Sequence, residues 1–207
     1  MADFKSDSYT LLSEEFNILG LAVNREKIKL LDKYIKLLQK WNKAFNLTSI
    51  TNTEDIINLH IIDSASVAKF IKGDNILDVG TGGGLPGIIL AILMPEKQFT
   101  LLDSNSKKVR FLRQCKLELG LNNICPTHER IEKFIPKQKF DIIISRAFSS
   151  LDDFFIKCQQ HLAVNGLLLA MKGKWPELLN TNLSCEAHDI SRNYLVRHVV
   201  VIKQTDI

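Results

Sequence analysis

The stretch ILDVGTGGGLPGIILAIL, from Ile76 to Leu93, is the strongest indication of the architecture of this chain. Apolar residues lead into an acid and a cluster of glycines, and a second apolar run follows. The segment NILDVG is predicted to be a strand, and PGIILAILM is predicted to be a helix that stops at Pro95. Because glycine lets a backbone approach a ligand closely, the turn between them predicts a binding site at the carboxyl end of a buried strand.

Two classes of ligand are compatible with these glycines. Gly82, Gly84 and Gly87 match G-x-G-x-x-G, the dinucleotide fingerprint. Asp78, however, lies two residues before Gly80 and would repel a pyrophosphate docked at the helix N-terminus. It favours a ligand with positive charge, such as S-adenosylmethionine, whose sulfonium and ammonium groups are cationic. The pattern D-x-G-x-G-x-G, with Asp78, Gly80 and Gly82 as cofactor-binding residues, therefore describes the loop better.

A second acid indicates a ligand that contains a nucleoside. Asp103 ends the next predicted strand, QFTLLD, near the spacing at which an acidic residue binds ribose hydroxyls in βαβ units. Asp103 could instead cap the helix SKKVRFLRQ, and Asp78 could be a buried acid that accepts N–H groups of the loop. Adenosine occurs in both cofactor classes, so Asp103 by itself does not separate them.

The remainder of the chain predicts an α/β fold. Residues 25–45 have apolar side chains at helical spacing, and a second helix is predicted up to the break at KGDN, with Thr51 or Thr53 as its N-cap. Beyond this break, strands alternate with helices, which is typical of βαβ units and a mostly parallel sheet. The predicted strands are NILDVG, QFTLLD, NICPTHE, FDIIISR, GLLLAMK and RHVVVIKQ, the last paired with a strand near CEAHDI. We therefore divide the chain into an N-terminal helical cap, residues 1–72, and an α/β body, residues 73–207.

The composition is that of an ordinary globular protein. The chain has 207 residues, of which 45% are hydrophobic and 24% charged, and its net charge of +4 is compatible with a nucleic-acid partner without requiring one. Its four scattered cysteines predict free thiols in a reducing cytoplasm and no zinc site. The N-terminus lacks an apolar signal core, and the longest apolar run is too short to cross a membrane. We therefore expect a cytoplasmic protein without metal or membrane association.

The first long helix carries a stripe of lysines opposite its apolar face. The stripe residues recur at steps of three and four and are Lys29, Lys33, Lys36, Lys40 and Lys43. Such a stripe is either a solvated helix face or a surface for RNA phosphates, and the spacing alone leaves both open.

Several separated motifs together resemble one known family. They are LLQKWNKAFNLTSI, HIIDSASVAKF, LDVGTGGGLPGIILAI, TLLDSNSKKVRFLRQ, ISRAFSSL, AMKGKWPEL and RHVVVIKQ. In this order they resemble the ribosomal RNA small-subunit methyltransferase G family, also called glucose-inhibited division protein B. The resemblance runs from about Leu37 to Lys203, whereas the first 20 or so residues carry no recognisable motif.

The resemblance implies a fold and an activity. It implies a class I S-adenosylmethionine-dependent methyltransferase, Rossmann-like, with a mostly parallel seven-stranded sheet and an N-terminal helical cap. Such an enzyme would transfer a methyl group to N7 of a guanine in 16S ribosomal RNA by in-line displacement. Because N7 has a free lone pair and no proton, no general base is needed and we nominate no catalytic residue.

The resemblance also implies cofactor-binding residues. Gly80 and Leu85 fall on loop positions that contact the cofactor, Asp103 is the ribose acid, and Ile131 and Glu132 flank the adenine. Taken without the resemblance, RIEKF is also an ordinary amphipathic turn.

Arg146, in ISRAF, falls on a motif arginine that contacts cofactor or substrate. The alternative for Arg146 is a salt bridge to Asp141 or Glu132, because an unpaired charge at a buried strand end is costly. For His60 and Asp63, three residues apart on a helix, we expect a local polar contact.

Basic residues near the predicted site are candidates for RNA contacts. They are Arg130, Arg146, Lys172, Lys174 and Arg197, with Arg192 and the lysine stripe as further possibilities. Trp175 either stacks on a base or packs in the core. The expected partner is 16S ribosomal RNA, naked or within an assembling small subunit, and we expect a monomer.

Other functions are also compatible with parts of the sequence. The protein could methylate another RNA site or a small molecule, or it could be a non-catalytic, cofactor-binding RNA chaperone. An NAD-dependent oxidoreductase is the least compatible, because of the charge of Asp78.

Overall fold

The computed structural model describes residues 7–148, 150–173, 184–192 and 195–203. The α-helices are α1 (Asp7–Ile18), α2 (Arg25–Phe45), α3 (Thr53–Ile56), α4 (Asp63–Ala65), α5 (Gly87–Leu93), α6 (Ser106–Leu119) and α7 (Leu151–Cys158). The strands are β1 (Asn75–Val79), β2 (Gln98–Asp103), β3 (Ile124–His128), β4 (Phe140–Ser145), β5 (Leu162–Lys172), β6 (Ser184–Asp189) and β7 (His198–Lys203).

The strands form one seven-stranded sheet in the order β3-β2-β1-β4-β5-β7-β6. Strands β1 to β5 pair in parallel, whereas β7 runs antiparallel to both β5 and β6. This sheet confirms the predicted mostly parallel α/β fold and the predicted pairing of the last strand with the segment near CEAHDI. The parallel strands end at one edge of the sheet, where open α/β folds bind their ligands.

Helix α2 has the bounds that the apolar periodicity predicts. Its N-cap is Asn24, whose side chain accepts a hydrogen bond from the N–H of Lys27, and Asn46 ends the helix with φ of 49°. The buried face of the helix packs on α6, where Phe111 contacts the rings of Tyr34 and Trp41. The apolar stripe therefore fixes α2 against the sheet's own helices.

The second helical segment differs from the prediction in two ways. Its N-cap is Asn52 rather than a threonine, because the Asn52 side chain accepts a hydrogen bond from the N–H of Asp55. After α3 the helix continues as a π-helix, Ile57–Ile62, before α4, and a 3₁₀ turn, Ala68–Phe70, follows. π-Helical turns are rare and concentrate at functional sites.

The cap helices and the sheet share one hydrophobic core. One continuous cluster includes Leu12, Ile57, Ile88, Leu112 and Val199, all fully buried. A second cluster lies on the other face of the sheet and contains Leu77, Ile143 and Phe154 together with neighbours from α7 and β7. Each fully buried aliphatic side chain contributes about 1.5–3 kcal/mol through removal from water.

The described helices include none with the length and apolar character that crossing a membrane requires.

Candidate functional site

The loop after β1 requires glycines for two separate reasons. Gly80, Gly82 and Gly84 have φ values of 68°, 61° and 89°, a backbone conformation that other residues rarely adopt. A Cβ on Gly80 would also lie 2.7 Å from the Cβ of Ala147, in the loop after β4. The glycines therefore bring this loop against the carboxyl end of β4.

Asp78 holds the glycine loop from below. Its side chain is fully buried, and its Oδ2 accepts hydrogen bonds from the Thr81 hydroxyl at 2.5 Å and from the Gly87 N–H at 2.8 Å. Burial raises the pKa of Asp78 to about 6, although these hydrogen bonds oppose the shift. Its Oδ1 is buried without a hydrogen-bond partner among the described residues. The hydrogen bonds to Oδ2 thus show that Asp78 stabilises the loop. Its Oδ1 is the oxygen that remains without a hydrogen bond from the described residues.

Asp103 is the second carboxylate at this edge. Its Oδ2 accepts the Gly82 N–H at 2.9 Å, its Oδ1 accepts the Asn105 N–H at 2.8 Å, and the Lys108 ammonium lies 3.8 Å away. The alternative in which Asp103 caps α6 is wrong, because Asn105 is the N-cap and accepts from Lys107 and Lys108. Asp103 therefore joins the end of β2 to the glycine loop.

Ser145 joins β4 to β1, and sequence reasoning missed it. Its hydroxyl donates to the Val79 carbonyl at 2.7 Å and accepts the Ala147 N–H at 3.0 Å. The available signal was a polar residue at the end of the otherwise apolar strand FDIII. Through this side chain the segment with Arg146 is fixed next to the glycine loop.

Tyr34 connects the helical cap to the loop, whereas the apolar spacing of residues 25–45 predicts only that its side chain is buried. The ring is fully buried, and its hydroxyl donates to the Gly83 carbonyl at 2.7 Å. Burial raises the pKa of this phenol well above its usual range, so the hydroxyl keeps its proton. Leu85, further along the loop, is half-buried, packs against the shared core and precedes a cis Leu85–Pro86 peptide bond.

Ile131 and Glu132 lie in a 3₁₀ turn, Ile131–Lys133, that follows β3 at the same edge of the sheet. Ile131 is buried in the second cluster, whereas the Glu132 carboxylate is exposed and lies 3.2 Å from the ammonium of Lys157. Hydrogen bonds from its own backbone N–H and from Lys157 lower the pKa of Glu132. Glu132 therefore does not pair with Arg146.

Arg146 pairs with Asp63 instead of the two acids that the sequence suggested. One of its terminal nitrogens, Nη1, lies 3.2 Å from Asp63 Oδ2. Asp141 lies at the opposite end of β4, where it accepts the N–H groups of Asp74 and Asn75. The salt-bridge partner therefore comes from the helical cap rather than from the α/β body.

The expected contact between His60 and Asp63 is also wrong. His60 Nε2 is hydrogen-bonded to the Thr48 hydroxyl at 2.8 Å, and Asp63 faces the arginines. Burial, and then the charge of Arg146, lower the pKa of His60 to about 4, so the ring is neutral near pH 7. A neutral histidine in this place makes no competing charge for Asp63.

The candidate RNA-binding residues differ in their exposure and in the contacts that they already make within the protein. Arg130 is exposed, whereas the Lys172 ammonium donates to the Phe148 carbonyl at 2.5 Å and its burial lowers its pKa. Arg197 Nε donates to Asp63 Oδ1 at 2.9 Å, and Arg192 pairs with Glu15 at 2.9 Å. Lys174 and Trp175 lie outside the described residues.

Most of the lysine stripe is exposed. Lys36 pairs with Asp32 at 2.6 Å, Lys29 pairs with Glu26 at 2.8 Å, and Lys33 donates to the Glu118 carbonyl. The exposed members are Lys33, Lys36, Lys40 and Lys43.

Comparison with known proteins gives the family. A sequence model of rRNA small subunit methyltransferase G matches residues 27–205. Proteins named ribosomal RNA small subunit methyltransferase G are 51% identical in a Marinomonas species, over 76% of each chain, and 45% identical in Francisella tularensis, over 98% of each chain. In fold, the chain is similar to a putative O-methyltransferase from Klebsiella pneumoniae, with a TM-score of 0.62 and 12% identity over 97% of this chain and 99% of that one. The matched length and the identity together show that the chain belongs to the rRNA small subunit methyltransferase G family.

Proposed function

We propose that this protein transfers a methyl group from S-adenosylmethionine to N7 of a guanine in 16S ribosomal RNA by in-line displacement. The observation that carries the proposal is the glycine loop held between two carboxylates, Asp78 and Asp103, at the carboxyl edge of the sheet in a chain of this family.

The residues at this edge fit the cofactor. Gly80 and Gly82 present backbone without side chains, and Asp103 has a further lone pair on each oxygen for ribose hydroxyls. The buried Oδ1 of Asp78 supplies negative charge below the loop. When bound, S-adenosylmethionine supplies an electrophilic methyl group and a cationic sulfur. Asp78, Gly80, Gly82, Leu85, Asp103, Ile131, Glu132 and Arg146 are the proposed cofactor-binding residues.

The protein contributes to the reaction by positioning the two reactants. Guanine N7 carries a lone pair and no proton, so the reaction needs no general base. Orienting two reactants can supply up to about 7–11 kcal/mol of a barrier. The purine gains positive charge during the transfer, so the guanidinium of Arg146 is better suited to a phosphate, a carboxylate or the guanine O6 than to N7.

Several basic residues of the chain suit contact with RNA. The proposed contacts are Arg130, Arg146, Lys172, Lys174 and Arg197, with the exposed lysines of α2 as a phosphate-facing surface. The Tyr34 contact with Gly83 supports a cap, residues 1–72, that acts with the body, residues 73–207, as one unit. We propose that the protein works as a monomer in the cytoplasm, on 16S RNA either naked or in an assembling subunit.

Mass mapping of 16S ribosomal RNA tests the substrate. We expect one 7-methylguanine to be lost in cells that lack the gene and to return when the gene is supplied on a plasmid. An unchanged 7-methylguanine pattern would refute the proposed substrate and favour another RNA site, a small molecule or a non-catalytic RNA chaperone.

Calorimetry tests the cofactor separately. S-adenosylmethionine is expected to bind and NAD is not, because the fully buried Asp78 carboxylate below the loop disfavours a pyrophosphate. Tight binding of NAD without binding of S-adenosylmethionine would contradict the proposed function.

A further inference from the structure

Asp63 is a buried carboxylate that lies between two arginines. Its side chain is 0% exposed, Arg197 Nε donates to its Oδ1 at 2.9 Å, and Arg146 Nη1 lies 3.2 Å from its Oδ2. We propose that Asp63 is a positioning residue, which fixes the guanidinium of Arg146 at the cofactor edge while Arg197 holds the carboxylate from the other side. This inference rests on the proposed role of Arg146 in binding cofactor or substrate.

The contact joins parts of the chain that are distant in sequence. Asp63 begins α4, directly after the π-helix, Arg146 follows β4, and Arg197 precedes β7. Gly173, just after β5, leaves room for this contact, because a Cβ there would lie 2.9 Å from Arg197 Nη1. One carboxylate thus sets the position of the segments that follow β4 and precede β7 relative to the cap.

The group formed by Asp63, Arg146 and Arg197 has a net positive charge. Two guanidinium groups face one carboxylate, and the nearby His60 is neutral near pH 7. The buried carboxylate of Asp63 would be costly without a partner, and the two arginines, whose side chains are 23% and 25% exposed, supply the opposite charge. The surplus positive charge remains available to an anionic group of the cofactor or of RNA.

The contact between Arg146 and Asp63 is an ion pair rather than a hydrogen bond. Arg146 Nη1 and Asp63 Oδ2 are within ion-pair distance, yet neither atom has a hydrogen-bond partner among the described residues. Both atoms are buried, so charge attraction holds this end of the guanidinium in place, while 23% of the Arg146 side chain stays exposed for contact with a ligand. This is the arrangement expected of a group that is positioned before its ligand arrives.

The test is the variant Asp63→Asn, which keeps the size of the side chain and removes its charge. We expect S-adenosylmethionine affinity by calorimetry, or kcat/KM for methylation of 16S RNA, to fall roughly 10- to 100-fold, as a displacement of about 1 Å in a binding group can produce. The Asp63→Glu variant restores the charge and is expected to recover part of the loss.

Glu15→Gln is the matched control. It neutralises the Glu15–Arg192 pair, which also joins the cap to the segment before β7, at 2.9 Å and with both side chains mostly buried. We expect this control to shift Tm without changing S-adenosylmethionine affinity. Equal losses of affinity in Asp63→Asn and in Glu15→Gln would overturn the inference, because Asp63 would then be one of several structural ion pairs.

A double-mutant cycle separates the positioning role from general destabilisation. In an Arg146→Met background, Asp63→Asn is expected to have little further effect on affinity or kcat/KM, because its target is gone. Equal effects in both backgrounds would overturn the inference. If Asp63→Asn does not fold, Asp63→Glu takes its place in the cycle with the same two outcomes. Wild-type protein that binds S-adenosylmethionine but leaves 16S RNA unmethylated would refute the proposed substrate alone, since the affinity measurements would still test Asp63.

Discussion

The residue after β1 shows what a glycine contributes at this site. Gly80 has a positive φ and also lies against Ala147, whereas Gly120 has a similar φ of 67° at the end of α6 with nothing near its missing Cβ. Gly80→Ala is expected to cost the strain of the left-handed conformation, about 1 kcal/mol, and an additional clash that moves the loop away from β4. The measurements are urea unfolding and S-adenosylmethionine affinity.

Gly120→Ala is the control for this prediction. It carries the same conformational strain without the clash, so it should lower the free energy of unfolding by about 1 kcal/mol and leave affinity unchanged. Equal affinity for Gly80→Ala and Gly120→Ala would show that the approach to Ala147 has no role in binding.

Asp103 offers a second test at the level of one side chain. Asp103→Ala removes the acceptor for the Gly82 and Asn105 N–H groups as well as the proposed ribose contact. Loss of such charge-assisted bonds is expected to weaken S-adenosylmethionine binding by about 1.5–3 kcal/mol, measured by calorimetry.

Asp74→Ala, an exposed acid at the opposite end of β1, is the control and should bind normally. Unchanged affinity in Asp103→Ala would reduce Asp103 to a structural acceptor of the loop.

The roles of the residues in the glycine loop could be predicted from the sequence, whereas the ion-pair partner of Arg146 could not. Asp78, Gly80 and Asp103 are local signals, because strand ends and turn glycines are recognisable within a few residues. The partner of Arg146 is Asp63, which lies in a different part of the chain, and no local spacing encodes that contact. The sequence therefore indicated that an arginine at the end of a buried strand needs an acid, without indicating which one.

Among the elements, α2 is the one that links the cap to the site. Tyr34→Phe removes the hydroxyl that donates to Gly83 and leaves a buried carbonyl without this partner. We expect the free energy of unfolding to fall by about 0.5–1.5 kcal/mol and cofactor affinity to fall with it, because the loop loses its support from α2. Urea unfolding and calorimetry measure the two quantities.

Tyr9→Phe, in α1, is the matched control. Its ring packs against the same core, but within the described part of the chain no hydrogen bond joins its hydroxyl to the loop, so both quantities should stay near wild type. A loss of stability in Tyr34→Phe with full affinity would mean that the cap supports the fold and not the loop.

Periodicity predicted the elements better than their ends. The apolar spacing of α2 and the alternation of strands with helices were sufficient for those elements. The N-cap at Asn52 was missed because threonines on both sides are equally good caps by type. The π-helix was missed because the spacing of apolar residues does not distinguish a π-helical turn from an α-helical one.

At the scale of the whole molecule, two buried groups oppose each other in the dependence of stability on pH. The pKa of Asp78 is raised from 3.8 to about 6, so the folded state binds a proton more tightly and stability falls as the pH rises between these values. The pKa of His60 is lowered from 6.5 to about 4, so stability falls as the pH drops through that range. Each shift of about two units corresponds to about 3 kcal/mol, and the two slopes nearly cancel.

We therefore expect a substitution of either group to expose the pH dependence of stability that the other group causes. Asp78→Asn should make the free energy of unfolding rise more steeply from pH 4 to pH 6 than in wild type, and His60→Gln should make it rise less or fall. Urea titrations at several pH values measure both changes. Parallel curves for wild type and both variants would mean that neither group has its shifted pKa.

The general architecture was predictable because the alternation of strands and helices limits the possible sheets. The family motifs implied the remaining features, namely the seven-stranded sheet and the N-terminal helical cap. The shared core of cap and body was less accessible, since the division at residue 73 follows a change of pattern and not a change of packing. Apolar periodicity identifies which face of α1 and α2 is buried, but it does not identify the surface that covers that face.

The order of strands has a consequence for the synthesis of the chain. Strand β7 is made after β6 but lies between β5 and β6, so β6 has to wait at about two strand spacings, roughly 10 Å, from the edge of a half-built sheet. Arg197, which directly precedes β7, contacts Asp63 in the folded protein. A chain truncated after β6 should therefore bind S-adenosylmethionine poorly in a cross-linking assay, so that a newly made chain acquires its cofactor only after β7 has been synthesised.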